Sequence, residues 1–359
     1  MRRWNVGSLL ALAVLAGCGG SQAPSISSAA AMLTRGMATT PMAHFAPAGS
    51  HRDFGPSWTN PKKVKSMLLY ISDWATYDVY LYNYWTGEHV GTLTGFNQPM
   101  GQCVDGTGNV FITNYGNGQT IEYAHGGTSQ LKTYFTEGTP VGCSVDRRGD
   151  LAVTSFNPGN VTIFAKGKSK GQTYSNDSCK VMWPAGYDER GNLYSLGESY
   201  KATTRSGPSA QVSVCEIPVG GAAMLTVTLS GANISYPGSV MWDGKYITLT
   251  DQGQVEYGTG VYQTSEESSG GLVVVGTTNL QGGCYSGYTD VEQPFFVGKK
   301  NTPLNFEEGN VLVGVNTSCL GGSNGIVFWP YPQGGDPFKK YSGVTEPDGI
   351  SVSIGSSGS

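Results

Sequence analysis

Val104-Asp105-Gly106-Thr107-Gly108-Asn109-Val110-Phe111-Ile112-Thr113 is the stretch on which the fold turns. The aspartate opens a tight turn, because its carboxylate can accept hydrogen bonds from the backbone just ahead of it. The glycine before Asn109 supplies the positive φ that a hairpin bulge demands. Apolar residues then alternate, as a strand requires. The pattern recurs three times. Val145-Asp146-Arg147-Arg148-Gly149-Asp150 leads into Leu151-Ala152-Val153-Thr154. Tyr187-Asp188-Glu189-Arg190-Gly191-Asn192 leads into Leu193-Tyr194-Ser195, and Trp242-Asp243-Gly244-Lys245 into Tyr246-Ile247-Thr248-Leu249.

Upstream of these hairpins stands a proline followed by a short apolar strand. Six such prolines occur: Pro99, Pro140, Pro184, Pro237, Pro294 and Pro347, at intervals of 41, 44, 53, 57 and 53 residues. A glycine follows five of them closely, at Gly101, Gly142, Gly186, Gly238 and Gly349. Downstream come two further strands, such as Thr120-Ile121-Glu122-Tyr123 and Leu131-Lys132-Thr133-Tyr134-Phe135. Four strands per repeat, repeated radially, make a propeller blade. Leu68-Leu69-Tyr70-Ile71 reads as a second strand with no first strand before it. Gly349-Ile350-Ser351-Val352-Ser353-Ile354 reads as a first strand with nothing after it. The C-terminal strand therefore completes the N-terminal blade and leaves no open edge in the ring. The expectation is an all-β, six-bladed β-propeller of four-stranded blades over residues 66–354, with 355–359 a frayed end.

Composition agrees. The 359 residues include 53 glycines and 20 tyrosines, and only 13% are charged, about half the usual share. A net charge of −4 gives no concentrated basic face, so nucleic acid is not expected as a partner.

The Pro-x-Gly-apolar-x-Asp-x-x-Gly-Asn pattern resembles the NHL-repeat superfamily of six-bladed propellers. That group includes extracellular scaffolds, the virginiamycin B lyase type and the gluconolactonase type. The resemblance implies the fold and leaves the function open, because these blades host binding proteins and enzymes alike.

The N-terminus reads as an address. Arg2 and Arg3 precede a short apolar stretch, Val6 to Ala16, too short to span a bilayer as a helix. It ends in Leu15-Ala16-Gly17-Cys18, which resembles the lipobox of bacterial lipoproteins. The resemblance implies a signal peptide over 1–17 and a lipid-modified Cys18 anchoring the chain to the membrane. Gly19, in place of an aspartate, implies the outer membrane or cell surface. Residues 18–65 are rich in Ser, Ala, Pro and Met without periodicity, the composition of a disordered tether.

Six cysteines remain: Cys103, Cys143, Cys179, Cys215, Cys284 and Cys319. An even number in an exported chain favours disulfides. Cys103 and Cys143, near the starts of neighbouring first strands, are a candidate pair. Cys179 with Cys215 and Cys284 with Cys319 are the sequential alternative among fifteen connectivities. No two cysteines have the close spacing of a zinc site.

In propellers of the resembled class, ligands meet the channel mouth where first strands begin and second strands end. That places Trp183, Tyr236 and Glu346, with Gln98 and Gln293, just before the prolines. It places Asp73, Asn114, Glu198, Asp251 and Asn316 at second-strand ends. Trp183 and Tyr236 suit ligand stacking, and the oxygen donors could hold calcium, although no local ligand motif marks such a site. Catalysis has little to draw on. His89 and His125 map to third-to-fourth-strand hairpins, away from the mouth, whereas the lyase type uses a channel histidine. Gly321-Gly322-Ser323-Asn324-Gly325 matches a nucleophile elbow by letters only, since it precedes a strand and no histidine follows it. The expected function is a monomeric, surface-tethered binding or scaffold protein for a protein or glycan partner, with no catalytic residues assigned. A calcium-dependent hydrolase of gluconolactonase type is the alternative, and a lyase a more distant one.

Overall fold

The computed structural model describes residues 55–199, 212–254, 258–268, 270–281, 295–297, 310–316 and 325–355. The signal peptide, Cys18, most of the tether, Gln293, Cys284, Cys319 and the Gly321–Asn324 turn lie outside the described residues.

Six small antiparallel sheets succeed one another along the chain. Blade two runs Pro99–Val104, Val110–Asn114, Gln119–Tyr123 and Gln130–Phe135, from inner strand to outer. Blade three follows with Pro140–Val145, Leu151–Ser155, Asn160–Phe164 and Gln172–Tyr174. In blade four the inner strand is split into Val181–Met182 and Gly186–Tyr187, with Trp183 and Pro184 in the break, beside Leu193–Glu198, Val212–Ile217 and Leu225–Val227. Blade five holds Pro237–Trp242, Ile247–Gln254, Gly258–Glu266 and Leu272–Leu280. Blade six holds Phe295–Val297, Asn310–Asn316, Gly325–Tyr331 and Lys339–Ser342.

Blade one closes the ring as the sequence predicts. The C-terminal strand Pro347–Ser353 pairs with Leu68–Asp73, from Leu68 opposite Ser353 to Asp73 opposite Pro347. Asp78–Asn83 and His89–Leu93 complete it. Two blades exceed four strands. Trp58–Thr59 falls within the stretch expected to be tether, yet it pairs antiparallel with His89–Leu93 and covers that outer edge. Gly91 makes room for it, since a Cβ there would strike Thr59 and the Trp58 carbonyl. Leu229–Ser230 adds a parallel fifth strand to blade five.

The hairpin aspartates do what their position predicts. Asp105 Oδ1 accepts from Thr107 N at 2.8 Å and Asn109 N at 2.9 Å. Asp146, Asp188 and Asp243 repeat this arrangement in their own blades. Gly108, Gly149, Gly191 and Gly244 sit at φ of 91°, 88°, 92° and 99°, where a side chain would be strained.

Around the axis the glycines of the Pro-x-Gly motif act differently. A Cβ on Gly349 would strike the Met100 carbonyl of the neighbouring inner strand. One on Gly186 would lie 2.5 Å from the Val240 carbonyl, and one on Gly142 2.5 Å from Pro184 Cβ. At Gly142, Gly186 and Gly349 the motif glycine therefore lets adjacent inner strands approach. Apolar clusters then fill the gaps between blades, for example Tyr194, Leu196 and Val214 against Ile247, Leu249 and Tyr262.

Two disulfides reinforce the ring. Cys103–Cys143 ties the inner strands of blades two and three, and Cys179–Cys215 ties the approach to blade four onto its third strand. Closing loops of 40 and 36 residues contributes about 4 kcal/mol each by chain entropy alone. Disulfides of this kind persist in oxidising, extracytoplasmic compartments.

The closing strand is also held by a histidine. His125, on the third-to-fourth hairpin of blade two, lies 2.7 Å from Ser353 Oγ through Nδ1. Its Nε2 lies 3.0 Å from the Ser66 carbonyl. Burial pushes its pKa down, outweighing backbone hydrogen bonds to Ser66 and Val64 that act upward.

Two outcomes follow from this architecture. Gly349→Val should destabilise the domain by about 1–3 kcal/mol, the usual range for overpacking, as read by chemical denaturation. For His125 the native state binds fewer protons than the unfolded chain. Its contribution is therefore complete above the unfolded pKa of about 6.5 and lost as pH falls below it. Between pH 7 and 5 the melting temperature of wild type should fall more steeply than that of His125→Gln, and equal slopes would remove His125 from the closure.

Candidate functional site

One repeated rung builds the face where inner strands begin and second strands end. In blades one, two, three and five a residue at the end of the second strand donates its N–H to the carbonyl of the residue before the proline. Trp74 donates to Glu346 at 2.8 Å, Tyr115 to Gln98 at 3.0 Å, Phe156 to Thr139 at 2.8 Å and Gln252 to Tyr236 at 2.8 Å. These bonds clamp two loops of each of these blades together, which fixes the side chains they carry.

Three of the expected oxygen donors serve this clamp. Asp73 is fully buried. Its carboxylate accepts from the backbone N–H groups of Ala75, Thr76, Thr345 and Glu346 at 3.1, 3.3, 2.7 and 3.2 Å. Asp251, also fully buried, accepts from Ser235 N at 3.1 Å, Tyr236 N at 2.9 Å and the Ser235 hydroxyl at 3.2 Å. Asn114 Oδ1 accepts from Asn97 N at 2.6 Å, while its buried Nδ2 has no hydrogen-bond partner among the described residues.

Asn316 ends the second strand of blade six, and its side chain is not among those described. Glu346 is half-buried. Glu198 is half-buried too, and burial pushes its carboxyl pKa upward. The structure thus places Asp73 and Glu346 in blade one and Asn114, Glu198, Asp251 and Asn316 in blades two, four, five and six. Among the described residues no three His, Cys, Asp or Glu side chains come together as a metal site. A calcium ion needs six to eight oxygens on one centre, and the buried carboxylates of Asp73 and Asp251 are each engaged by their own blade's N–H groups. The described donor set does not fit that ion.

What the structure does gather is aromatic. Trp74 meets Tyr115 edge to face at 5.3 Å. Phe156 meets Trp183 at 5.4 Å, and Trp183 meets Tyr236 at 6.3 Å, both edge to face. Trp183 is only 5% exposed and acts as the support; Trp74, Tyr115, Phe156 and Tyr236 are half-buried. The expected stacking residues Trp183 and Tyr236 therefore join Phe156 in one ring set on blades three to five, and Trp74 with Tyr115 forms a second set on blades one and two; the two sets follow one another as an arc. Trp74, Tyr115 and Phe156 escape a reading centred on the prolines. Their signal is the pair Asp73-Trp74, Asn114-Tyr115 and Ser155-Phe156, a buried polar residue then an aromatic, at a constant spacing of 41 residues. Gln98, next to the arc, holds φ at 60°, a conformation non-glycine residues rarely take.

A concavity of about 190 Å³ lies on the opposite face between blades four and five, lined by Arg190, Tyr194, Glu216, Glu266 and Leu272 among others. Its polar groups satisfy one another. The Tyr194 hydroxyl donates to Glu216 at 3.2 Å and to Glu266 at 3.1 Å, and Arg190 pairs with Glu266. We read it as a tie between blades.

No family model matches the chain, and no curated protein does. Solved structures match the fold. A chain in the crystal structure of a nidogen/laminin complex superposes with a TM-score of 0.57 at 11% identity, covering 80% of this chain and 98% of that one. A protein of unknown function from Bacteroides caccae gives 0.56 at 14% identity, covering 80% and 99%. One from Desulfotomaculum acetoxidans gives 0.52 at 10% identity, covering 80% and 99%. At such identities these matches establish the β-propeller and nothing about its ligand.

Proposed function

We propose that this chain is an exported, lipid-anchored propeller that binds a protein or glycan partner through the face bearing the aromatic arc. The arc is the observation that carries the reading. Four half-buried rings on one face are held by backbone rungs, so binding would cost little side-chain ordering. Aromatic side chains are also the residues that dominate interface energetics. The neighbour in the nidogen/laminin complex supports the reading to the extent that a propeller of the same shape occurs there in a protein complex. Anchoring rests on the lipobox resemblance at Cys18, and the two disulfides suit the exported side of a membrane. The propeller works as a monomer in this account.

The hydrolase alternative is favoured by no observation, since its carboxylates do not converge. The lyase alternative needs a channel histidine. His125 lies at the ring closure, and His89 packs among Trp58, Tyr80 and Tyr82.

Site-specific photo-crosslinking in cells producing the full chain tests the reading. A benzophenone side chain in place of Tyr115 should yield a discrete adduct, and one in place of Lys168, on the opposite face, should not. Adducts from position 168 alone would overturn the choice of face. In the same cells, Cys18→Ser should abolish incorporation of labelled palmitate and release the chain from membranes; unchanged labelling would refute the anchor.

A further inference from the structure

Resting on the reading that Cys18 anchors the chain, we propose that the rim of the propeller at blades one and six lies on the bilayer itself, with its rings and lysines in an anionic headgroup layer. Trp58 and Trp85 are the two tryptophans exposed among the described residues, at 45% and 53%, and Phe338 is exposed at 59%. All three gather about the hairpin that joins the third and fourth strands of blade one. Trp85 lies in that hairpin. Its carbonyl accepts from Lys339 Nζ at 2.9 Å and from the Tyr341 hydroxyl at 3.0 Å, both on the outer strand of blade six. Phe338 precedes Lys339 and meets Phe328, which in turn meets Tyr84 beside Trp85. Trp58 packs edge to face on His89, at the end of the hairpin, with 5.4 Å between ring centres. Inward, this network ties the two blades together. Outward, it leaves three large rings to solvent.

Two observations select the bilayer as the occupant. The first is where the chain arrives. The Gly55 carbonyl accepts from the Thr94 hydroxyl at 3.2 Å, and Thr94 N donates to Ser57 Oγ at 2.9 Å. Trp58–Thr59 then pairs along the outer strand of blade one. The anchored end therefore joins the domain on the blade that carries the exposed tryptophans. Residues 19–54 separate it from Cys18, and a coil of that length spans about 30–36 Å. The anchor thus holds blade one near the surface at a high effective concentration. The second observation is charge. Lys62 and Lys63 follow Trp58–Thr59 and are exposed, Lys63 pairing with Glu88 of the hairpin. Lys339 sits among the rings, 4.5 Å from the centre of Tyr341 and 5.0 Å from that of Phe328. Tryptophan rings flanked by lysines suit a membrane–water interface, where the rings lie at headgroup depth and the ammonium groups reach anionic phosphates. A contact of three rings is too small to hold a free chain, but it orients one that lipid already holds. The rim is engaged edge-on, so the aromatic face stays open to its partner.

Quenching of tryptophan fluorescence by brominated lipid tests this on the acylated full chain, reconstituted into vesicles of equal parts phosphatidylcholine and phosphatidylglycerol. Emission should be dimmer than in the same vesicles without bromine, and the difference should be lost in Trp58→Phe/Trp85→Phe. It should shrink when phosphatidylglycerol is left out, or when salt is raised from about 0.05 to about 0.5 M, because exposed charges are screened at that strength. Flotation of the same vesicles reports the anchor separately. A chain that floats without being quenched, or is quenched equally in the double variant, keeps the anchor and overturns the seat on the bilayer. Quenching indifferent to both salt and phosphatidylglycerol also overturns it, since the lysines would then take no part. A chain that does not float overturns anchor and seat together. In cells, a benzophenone side chain in place of Trp85 should give no discrete protein adduct, and one that formed would assign the rim to a protein partner instead. The quenching of the unaltered chain stands even where a substitution disturbs folding.

Discussion

The backbone contact between neighbouring inner strands is the constraint on which this molecule depends. At three of the junctions around the axis there is no room for a Cβ between one inner strand and its neighbour. Gly349 against Met100, Gly186 against Val240 and Gly142 against Pro184 show where the clearance comes from. The proline beside each glycine marks where its inner strand enters the ring, and an inner strand tolerates it there because Pro lacks only a donor the ladder's first residue can do without. In blade four the ladder instead breaks around Pro184, whose carbonyl accepts from Val240 N of the next blade at 2.9 Å.

The face that we assign to binding is a consequence of that convergence. Once the inner strands are fixed, the pre-proline carbonyl is fixed as well, and the residue leaving the second strand bonds to it. The buried Asp73, Asn114 and Asp251 hold the loop from the other side. An aromatic placed at the next position is then presented on a rigid rung, which explains why Trp74, Tyr115 and Phe156 recur at a constant interval. Structure and recognition share the same repeat, with the polar residue serving the fold and the aromatic serving the surface.

The fold was legible because its determinants are local. An aspartate, a glycine with positive φ and an alternating strand specify a hairpin from a few consecutive residues, and four such hairpins spaced among six recurring prolines specify a ring. The pairing of Cys103 with Cys143 was legible for the same reason, as equivalent positions of adjacent repeats. The site was less so. Asp73 and Asp251 look like ligand donors in sequence, because nothing local reveals that four and three donor groups, respectively, converge on them across loops far apart in the chain. Trp58–Thr59 was illegible too, as a two-residue edge strand has no periodicity to read. The arc could have been found from the polar–aromatic pairs, but only by aligning second-strand ends and not prolines.

Amide hydrogen exchange of the full chain tests most directly whether the aromatic face is a rigid extension of the ring. The N–H groups of Trp74, Tyr115 and Phe156 lie just past the ends of their strands, where exchange is ordinarily fast. The account predicts that they exchange as slowly as the inner-strand amides, through opening of the whole domain. Exchange at the rate of exposed loop amides would contradict it, and the face would then be a set of mobile loops with no built platform.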